Sequence, residues 1–401
     1  MHKRIHQRFA VAFDYPVIFT RDVFEPTNLA LVQALGRLRE KRRQRVMFFV
    51  DQGILGRVSK PGRNALSQIT RYCAIHTEKM ELVSPPQVVP GGEALKNSFN
   101  RALVMVRDLL AQHLDRQSFV IVIGGGAVLD VVGFAASLVH RGLRVVRLPT
   151  TVLAQCDSGV GVKTAVNFGT AKNQVGTFAP PFAVINDFDW LASLPDRDWR
   201  GGIAEAFKVA LIQDAVFFRW LCCHAAKLRA RQMALMQRLI FRCAALHLDH
   251  ICNGGDPFEM GHARPLDFGH WSAHRLEVLS HYRIGHGQAV AAGIALDASY
   301  AVCLGWLAPQ DFHALVCGLQ QAGLPVWYPE MAQCNRYGQT MIFQGLEEFR
   351  EHLGGALTLT VPRGAGQRAE IHGVDFTVMK NCLADLQALQ AADPLRERSR
   401  K

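Results

Sequence analysis

Residues 118–176 read SFVIVIGGGAVLDVVGFAASLVHRGLRVVRLPTTVLAQCDSGVGVKTAVNFGTAKNQVG, and they constrain the fold more than any other part of the chain. An apolar run of β-forming residues, Phe119 to Ile123, stops at three glycines, Gly124, Gly125 and Gly126. A helical apolar segment follows from Ala127 to Val139, and a second strand is predicted over Leu143 to Leu148. Strand, glycine turn and helix together form a cradle for a phosphate or pyrophosphate. The glycines admit the backbone to the ligand, and the helix N-terminus presents free N–H groups. GGGAVLD is not G-x-G-x-x-G, so a purely structural turn also fits this stretch.

The residues beyond the second strand sharpen the reading. Thr150 and Thr151 are followed by Asp157, Lys163, Asn167, Lys172 and Asn173, with Val, Ala and Phe interleaved. Lysines, an acid and amides in a Gly-rich segment suit an anionic, hydroxyl-rich ligand better than a solvated loop.

In order along the chain stand GGGAVLD, HRG, PTTVLAQCDSG, GVGVKTAVN and KNQVG. This set resembles the sugar-phosphate cyclases, of which 3-dehydroquinate synthase is the best known. The RPLDFGHW and EFREHLGG segments resemble the dehydroquinate-synthase-like proteins of bacterial ebo clusters. The resemblance implies an N-terminal Rossmann-like α/β domain that binds NAD+ (1–190), a mainly α-helical metal- and substrate-binding domain (191–390) and a charged tail (391–401). It also implies a homodimer.

The rest of the chain is compatible with that class. At 401 residues and 49% hydrophobic it can bury a large core. No apolar run approaches a membrane span, and the basic N-terminus is interrupted by Asp14, so neither a membrane segment nor a signal peptide is expected. The 10 cysteines are scattered without a C-x-x-C pair, which fits reduced thiols and a cytoplasmic setting. The net charge of +11 is spread along the chain without aromatic interleaving, which favours an anionic small molecule over nucleic acid.

Read in order, residues 5–13 predict an opening strand, residues 28–41 a helix and residues 45–50 a buried strand that ends at Asp51. An acid there fits a ribose-binding role and a plain strand-end turn alike. Gly91-Gly92-Glu93 predicts the start of a long amphipathic helix carrying Lys96. Successive helices are predicted over 198–325.

Three segments of the helical half carry candidate metal ligands. Glu205 and Lys208 are three apart, His270 and His274 four apart, and His286 opens a Gly-flanked helix. A Glu and two His suit a divalent ion with open positions, although 16 histidines make chance pairs easy and favour a core or surface role for any single one. The resemblance assigns the metal, Zn2+ or Co2+, to Glu205, His270 and His286. It assigns catalysis and substrate binding to Arg141, Asp157, Lys163, Asn173, Lys208 and His274. NAD+ contacts fall on Asp51, Glu93, Lys96, Gly124, Gly125, Gly126, Asp130, Thr150, Thr151 and Lys172. The implied activity is transient oxidation, phosphate elimination, reduction and aldol closure of a phosphorylated heptulosonate or heptulose. A metal-dependent polyol dehydrogenase and a non-catalytic binding protein are the alternatives.

The chain departs from the family pattern at several positions. Leu129 replaces a glycine beside the pyrophosphate turn, Val162 replaces a glycine, and His247 stands where a phosphate-binding lysine is expected. Ala263 stands in place of an arginine, with Arg264 next to it and an apparent insertion, CNGGDPFEM, upstream. Arg350 is the candidate cation in place of a late lysine pair.

Overall fold

The computed structural model describes residues 3–55, 64–168, 171–261 and 264–392. Its N-terminal half is built on one parallel sheet. The strands are β1 (Val17–Thr20), β2 (Gln44–Asp51), β3 (Met80–Leu82), β4 (Gln87–Val89), β5 (Phe119–Gly124), β6 (Arg144–Pro149) and β9 (Ala183–Asp187). Their order is β1-β9-β6-β5-β2-β3, with β4 also paired to β2. Every residue of β5 and β9 is buried between layers, and β5 reads as a continuous apolar run, whereas β9 ends on the buried polar residues Asn186 and Asp187. Alternate side chains of β2 and β5 enter two separate cores: Met47, Phe49, Val120 and Val122 on one face, Val46, Phe48, Ile121 and Ile123 on the other.

Helices α1 (Ala30–Leu35) and α2 (Ala65–Ile75) lie on the second of these faces, and α3 (Phe99–Ala111) and α4 (Gly126–Leu138) on the first. The antiparallel hairpin β7 (Lys163–Phe168) and β8 (Ala171–Phe178) leaves the sheet. The chain crosses to opposite sides of the sheet after β2 and after β5, so their carboxyl ends flank a topological switch point, where doubly wound sheets bind ligands.

The second half is helical, from α6 (Asp196–Gln213) through α7 (Ala215–Arg229), α8 (Met233–Asn253), α9 (His270–Leu279), α10 (His286–Cys303), α11 (Pro309–Gln321) and α12 (Gln344–His352) to α13 (Phe376–Ala391). A short antiparallel ribbon, β10 (Leu359–Pro362) with β11 (Arg368–Ile371), interrupts it. The short helix α5 (Val152–Cys156) joins the halves, because Val152 and Cys156 belong to the core of the helical half. No helix among the described residues is long and apolar enough to cross a membrane.

Three expectations need correction. Residues 5–13 form no strand: Ile5, Phe9, Val11 and Phe13 are exposed, and the sheet edge opposite β9 is taken by Val17–Thr20 instead. The helix expected over 28–41 contracts to α1, ending at Gly36. The helix expected from Glu93 begins at Phe99; a 3-10 turn, Glu93–Leu95, precedes it, and Gly92 at φ +83° sets the angle of entry. That turn points Lys96 inward, where it is buried.

Candidate active site

The glycine turn lies where β5 meets α4, with Gly125 as the N-cap residue of a 13-residue helix. A Cβ on Gly124 would lie 2.8 Å from Val128, and one on Gly126 would lie 2.7 Å from Ser158 Oγ, so the turn packs too closely against its neighbours to carry side chains there. Asp51 closes the end of β2, its carboxylate accepting from Gly53 N at 2.7 Å. A Cβ on Gly91 would come within 2.2 Å of that same carboxylate, so the Gly91-Gly92 turn also approaches this corner. Thr150 is buried, and Thr151 caps α5 by accepting from Ala154 N. Leu129 does not crowd the turn: it is buried in the core that α4 shares with the sheet.

Beyond the turn, Lys96 Nζ donates to Asp130 Oδ2 and to Asn173 Oδ1, both at 2.6 Å. Lys172 Nζ donates to Glu277 Oε1 at 2.8 Å and lies 3.4 Å from Glu93 Oε1. Burial opposes the charge on Lys172, but the Glu277 and Glu93 carboxylates outweigh it and hold the ammonium above its ordinary range. Asn173 thus sits with Lys96 on the dinucleotide side.

The helical half supplies the second cluster. Helix α6 carries Glu205 and Lys208 three residues apart, with Lys208 Nζ 2.6 Å from Glu205 Oε2. Glu205 Oε1 has no hydrogen-bond partner among the described residues, although the residue is only 1% exposed. Glycines bring α10 against α6, since a Cβ on Gly287 would lie 2.2 Å from Gly201 O. That contact places His286 Nε2 3.5 Å from Glu205 Oε1. His270 Nε2 lies 3.8 Å from the same oxygen. His270, His274 and His286 offer nitrogens that all lie within 4.8 Å of one another. A buried carboxylate oxygen without a hydrogen-bond partner, facing two of three clustered imidazoles, fits a divalent cation.

Neighbouring groups orient these rings. His270 Nδ1 is 3.1 Å from the Phe268 carbonyl, which can only accept, so Nδ1 carries the proton and Nε2 presents its lone pair. His286 Nδ1 donates to Glu277 Oε2 at 3.2 Å, and its Nε2 lies on the Glu205 side of the ring. Burial and Lys208 lower the basicity of His270; burial and His270 lower that of His274 further. Burial would also lower His286, but Glu277 and Glu205 outweigh it and raise it to about 9. Burial disfavours the Glu205 carboxylate, yet Lys208 and the imidazoles hold it well below the ordinary range.

A third group adjoins Lys208. Asp157 Oδ2 is 3.7 Å from Lys208 Nζ, and Asp157 Oδ1 is 3.1 Å from His247 Nδ1. Burial lowers the basicity of His247, so this ring is a neutral polar group and does not replace a lysine's charge. Lys163, at the start of β7, is paired with Glu259.

Other positions stand apart. Arg141 is exposed in a left-handed turn (φ +64°) after α4, with no hydrogen bond or ion pair to the described residues. Arg350 is paired with Glu347 on the surface of α12. Ala263 lies outside the described residues, as do 393–401 of the tail.

Two matches to family models decide the ancestry: 3-dehydroquinate synthase N-terminal over residues 86–201, and 3-dehydroquinate synthase C-terminal over 202–343. The chain belongs to the 3-dehydroquinate synthase family. Within it, the chain is 35% identical over 307 residues to 3-dehydroquinate synthase of Xylella fastidiosa strain M23, covering 74% of this chain and 80% of that one. It is 31% identical over 310 residues to the Blochmanniella floridana protein of the same name, covering 76% and 82%. Among solved structures it is similar to ValA, a 2-epi-5-epi-valiolone synthase from Streptomyces hygroscopicus subsp. jinggangensis 5008 with NAD+ and Zn2+ bound (TM-score 0.83, 27% identity, 96% of this chain and 99% of that one). Likeness to glycerol dehydrogenase of Schizosaccharomyces pombe (TM-score 0.62, 14% identity, 98% and 94%) shows the shared fold alone.

Against the family motifs, the sequence reading missed Glu277 and Glu259. Glu277 lies three residues after His274 on α9, a helical spacing that marks it as facing the same way. Glu259 lies in the apparent insertion and carries no such signal.

Proposed function

We propose that this protein is an NAD+- and divalent-metal-dependent sugar-phosphate cyclase acting on a phosphorylated heptulosonate or heptulose. The observation that carries the reading is the buried Glu205 carboxylate, paired with Lys208 at Oε2 and facing His270 and His286 at Oε1, with His274 beside those two rings. Glu205, His270 and His286 would hold the metal, Zn2+ or Co2+, with His274 adjoining. Asp51, Glu93, Lys96, Asp130, Thr150, Thr151, Lys172 and the Gly124–Gly126 turn would hold the dinucleotide. When bound, the nicotinamide would supply reversible hydride transfer at a secondary alcohol, and the metal would supply polarisation of the oxygen at that carbon.

The chain's own groups do the rest. Lys208, buried and paired with Glu205 and Asp157, stays protonated and fixes a positive charge beside the reacting oxygens. Asp157 accepts from His247 or faces a substrate hydroxyl, and Lys163 offers a half-exposed ammonium to the substrate's phosphate. Net redox is zero: one bond to phosphate breaks, one carbon–carbon bond forms, and NAD+ is regenerated.

The test is phosphate release by purified protein with NAD+ and Zn2+ or Co2+, run on 3-deoxy-D-arabino-heptulosonate 7-phosphate and on sedoheptulose 7-phosphate. A cyclase releases phosphate with no net rise in NADH absorbance, and Lys208→Ala abolishes turnover while keeping NAD+ affinity. Stoichiometric NADH with a polyol and no phosphate release would make it a dehydrogenase instead.

A further inference from the structure

The cations at the substrate end of the site already carry carboxylates from the chain itself. Lys208 has Glu205 and Asp157. Lys163 has Glu259, and Arg264 Nε lies 3.9 Å from the same Glu259 oxygen without a hydrogen-bond partner of its own. The two arrangements differ in what holds them. The Lys208 pair is buried on α6, whereas the Lys163 side chain is 50% exposed and its partner comes from the segment after α8.

That segment is built to deliver a carboxylate. Asp256 accepts from Met260 N at 2.8 Å and Gly261 N at 2.6 Å, closing the loop. Phe258 stacks on Phe178 with centroids 4.9 Å apart, and Phe178 is the register partner of Lys163 in the β7–β8 hairpin. Glu259 adopts φ +49° and turns its carboxylate inward, leaving the side chain only 11% exposed. Its charge reaches His247, which also feels Asp157, Lys208 and Lys163, and Lys163 and Lys208 in turn act on Asp267.

We infer that Glu259 is a specificity-determining residue: it is the site's own displaceable anion, which reserves Lys163 for a phosphoryl dianion and excludes a carboxylate there. The inference rests on the cyclase reading for the identity of the substrate, and not for the competition itself. A tethered carboxylate competes at an effective concentration of about millimolar or more. An incoming carboxylate has the same charge as Glu259, so exchanging one for the other gains no attraction to Lys163. A phosphate dianion carries twice the charge and more acceptor oxygens, so it wins the exchange. The Lys163 end of the pair is half exposed, so the ammonium can exchange Glu259 for an incoming anion without being desolvated afresh. A substrate with both groups is therefore bound phosphate-first at this end, and its carboxylate must find another partner.

The test is calorimetric titration of the full chain with inorganic phosphate and with acetate, in wild type, Glu259→Gln, Lys163→Met and the double variant. Glu259→Gln binds phosphate at least tenfold more tightly and acquires saturable acetate binding, which the wild type lacks. In the Lys163→Met background the same change gives no gain, which separates direct competition from a general loss of negative charge. Asp256→Asn keeps the carboxylate but loosens the loop, and it tightens phosphate binding by a smaller factor. Phosphate affinity in Glu259→Gln within twofold of wild type, or weaker, would overturn the inference, as would an equal gain without Lys163. Because no turnover is measured, a protein that behaves this way yet cyclises neither heptulose phosphate would overturn the cyclase reading alone.

Discussion

Glu277 shows how much a single side chain can organise. One of its oxygens accepts from Lys172 on the dinucleotide side, and the other faces His286 Nδ1 on the metal side. Burial disfavours its charge, but His286 and Lys172 hold it ionised far below the ordinary range. Asp297, on α10, behaves oppositely. Its carboxylate accepts from Trp271 Nε1 at 2.8 Å and Gly269 N at 3.0 Å, fixing the start of α9 and hence His270. Among the described residues no cation is paired with it, and burial raises its pKa from 3.8 to about 7. The folded state then holds a proton that the unfolded chain releases, so this group's stabilising contribution is complete below pH 3.8 and is lost as pH rises through about 7. Denaturant unfolding of wild type and Asp297→Asn at pH 5, 6 and 7 should show the variant gaining on wild type as pH rises, by at most about 1.4 kcal/mol per pH unit. A constant difference would mean that Asp297 is ionised throughout.

At the scale of elements, the site depends on helices that approach more closely than side chains permit. α10 reads HGQAVAAGIALDASYAVC, and its small residues let α6 and α9 close on it. A Cβ on Gly287 would sit 2.4 Å from Gly201 Cα, and one on Gly293 would sit 2.1 Å from Gly269 O. Gly287→Ala must push α10 from α6, at about 1–3 kcal/mol of stability. Because Glu205 and His286 ride on those two helices, metal affinity should fall with it by about tenfold or more. Calorimetric zinc titration and thermal melts check both; loss of stability with unchanged zinc affinity would show that the ligand geometry does not depend on this contact.

At the scale of the whole molecule, α5 belongs to the helical core while carrying the Thr151 cap that follows β6, so the glycine-turn corner and the Glu205–histidine cluster share one packed joint. Glu205 Oε1 is left without a hydrogen-bond partner among the described residues, and a divalent cation would satisfy it. Chelator-stripped protein should therefore melt lower than protein with zinc restored, a difference of about 2.7 kcal/mol at a hundredfold excess of zinc over its Kd. Glu205→Ala should abolish that difference. An equal shift in the variant would place the metal elsewhere.

The linear chain determined the parts whose cause is local. Continuous apolar runs bounded by turns identified β2, β5 and β6, because a doubly covered sheet needs no alternation. Glycines marked the cradle, and spacings of three and four put Glu205 with Lys208 and His270 with His274, because an α-helix repeats every 3.6 residues. Edges and entries were not legible: the exposed Ile5–Phe13 run looks like a strand until Val17–Thr20 takes the available edge, and Glu93 looks like a helix start until Gly92 turns the chain. Only the tertiary structure could bring Glu277 to both Lys172 and His286, or Glu259 to Lys163. Those contacts join residues 105 and 96 positions apart for the two lysines, and no local period links such distances. It also decided that Leu129 fills a core, that His247 is a neutral partner of Asp157, and that Arg141 and Arg350 stand apart from the cluster. Charge and spacing are properties of the chain, whereas which charges meet is a property of how its helices pack.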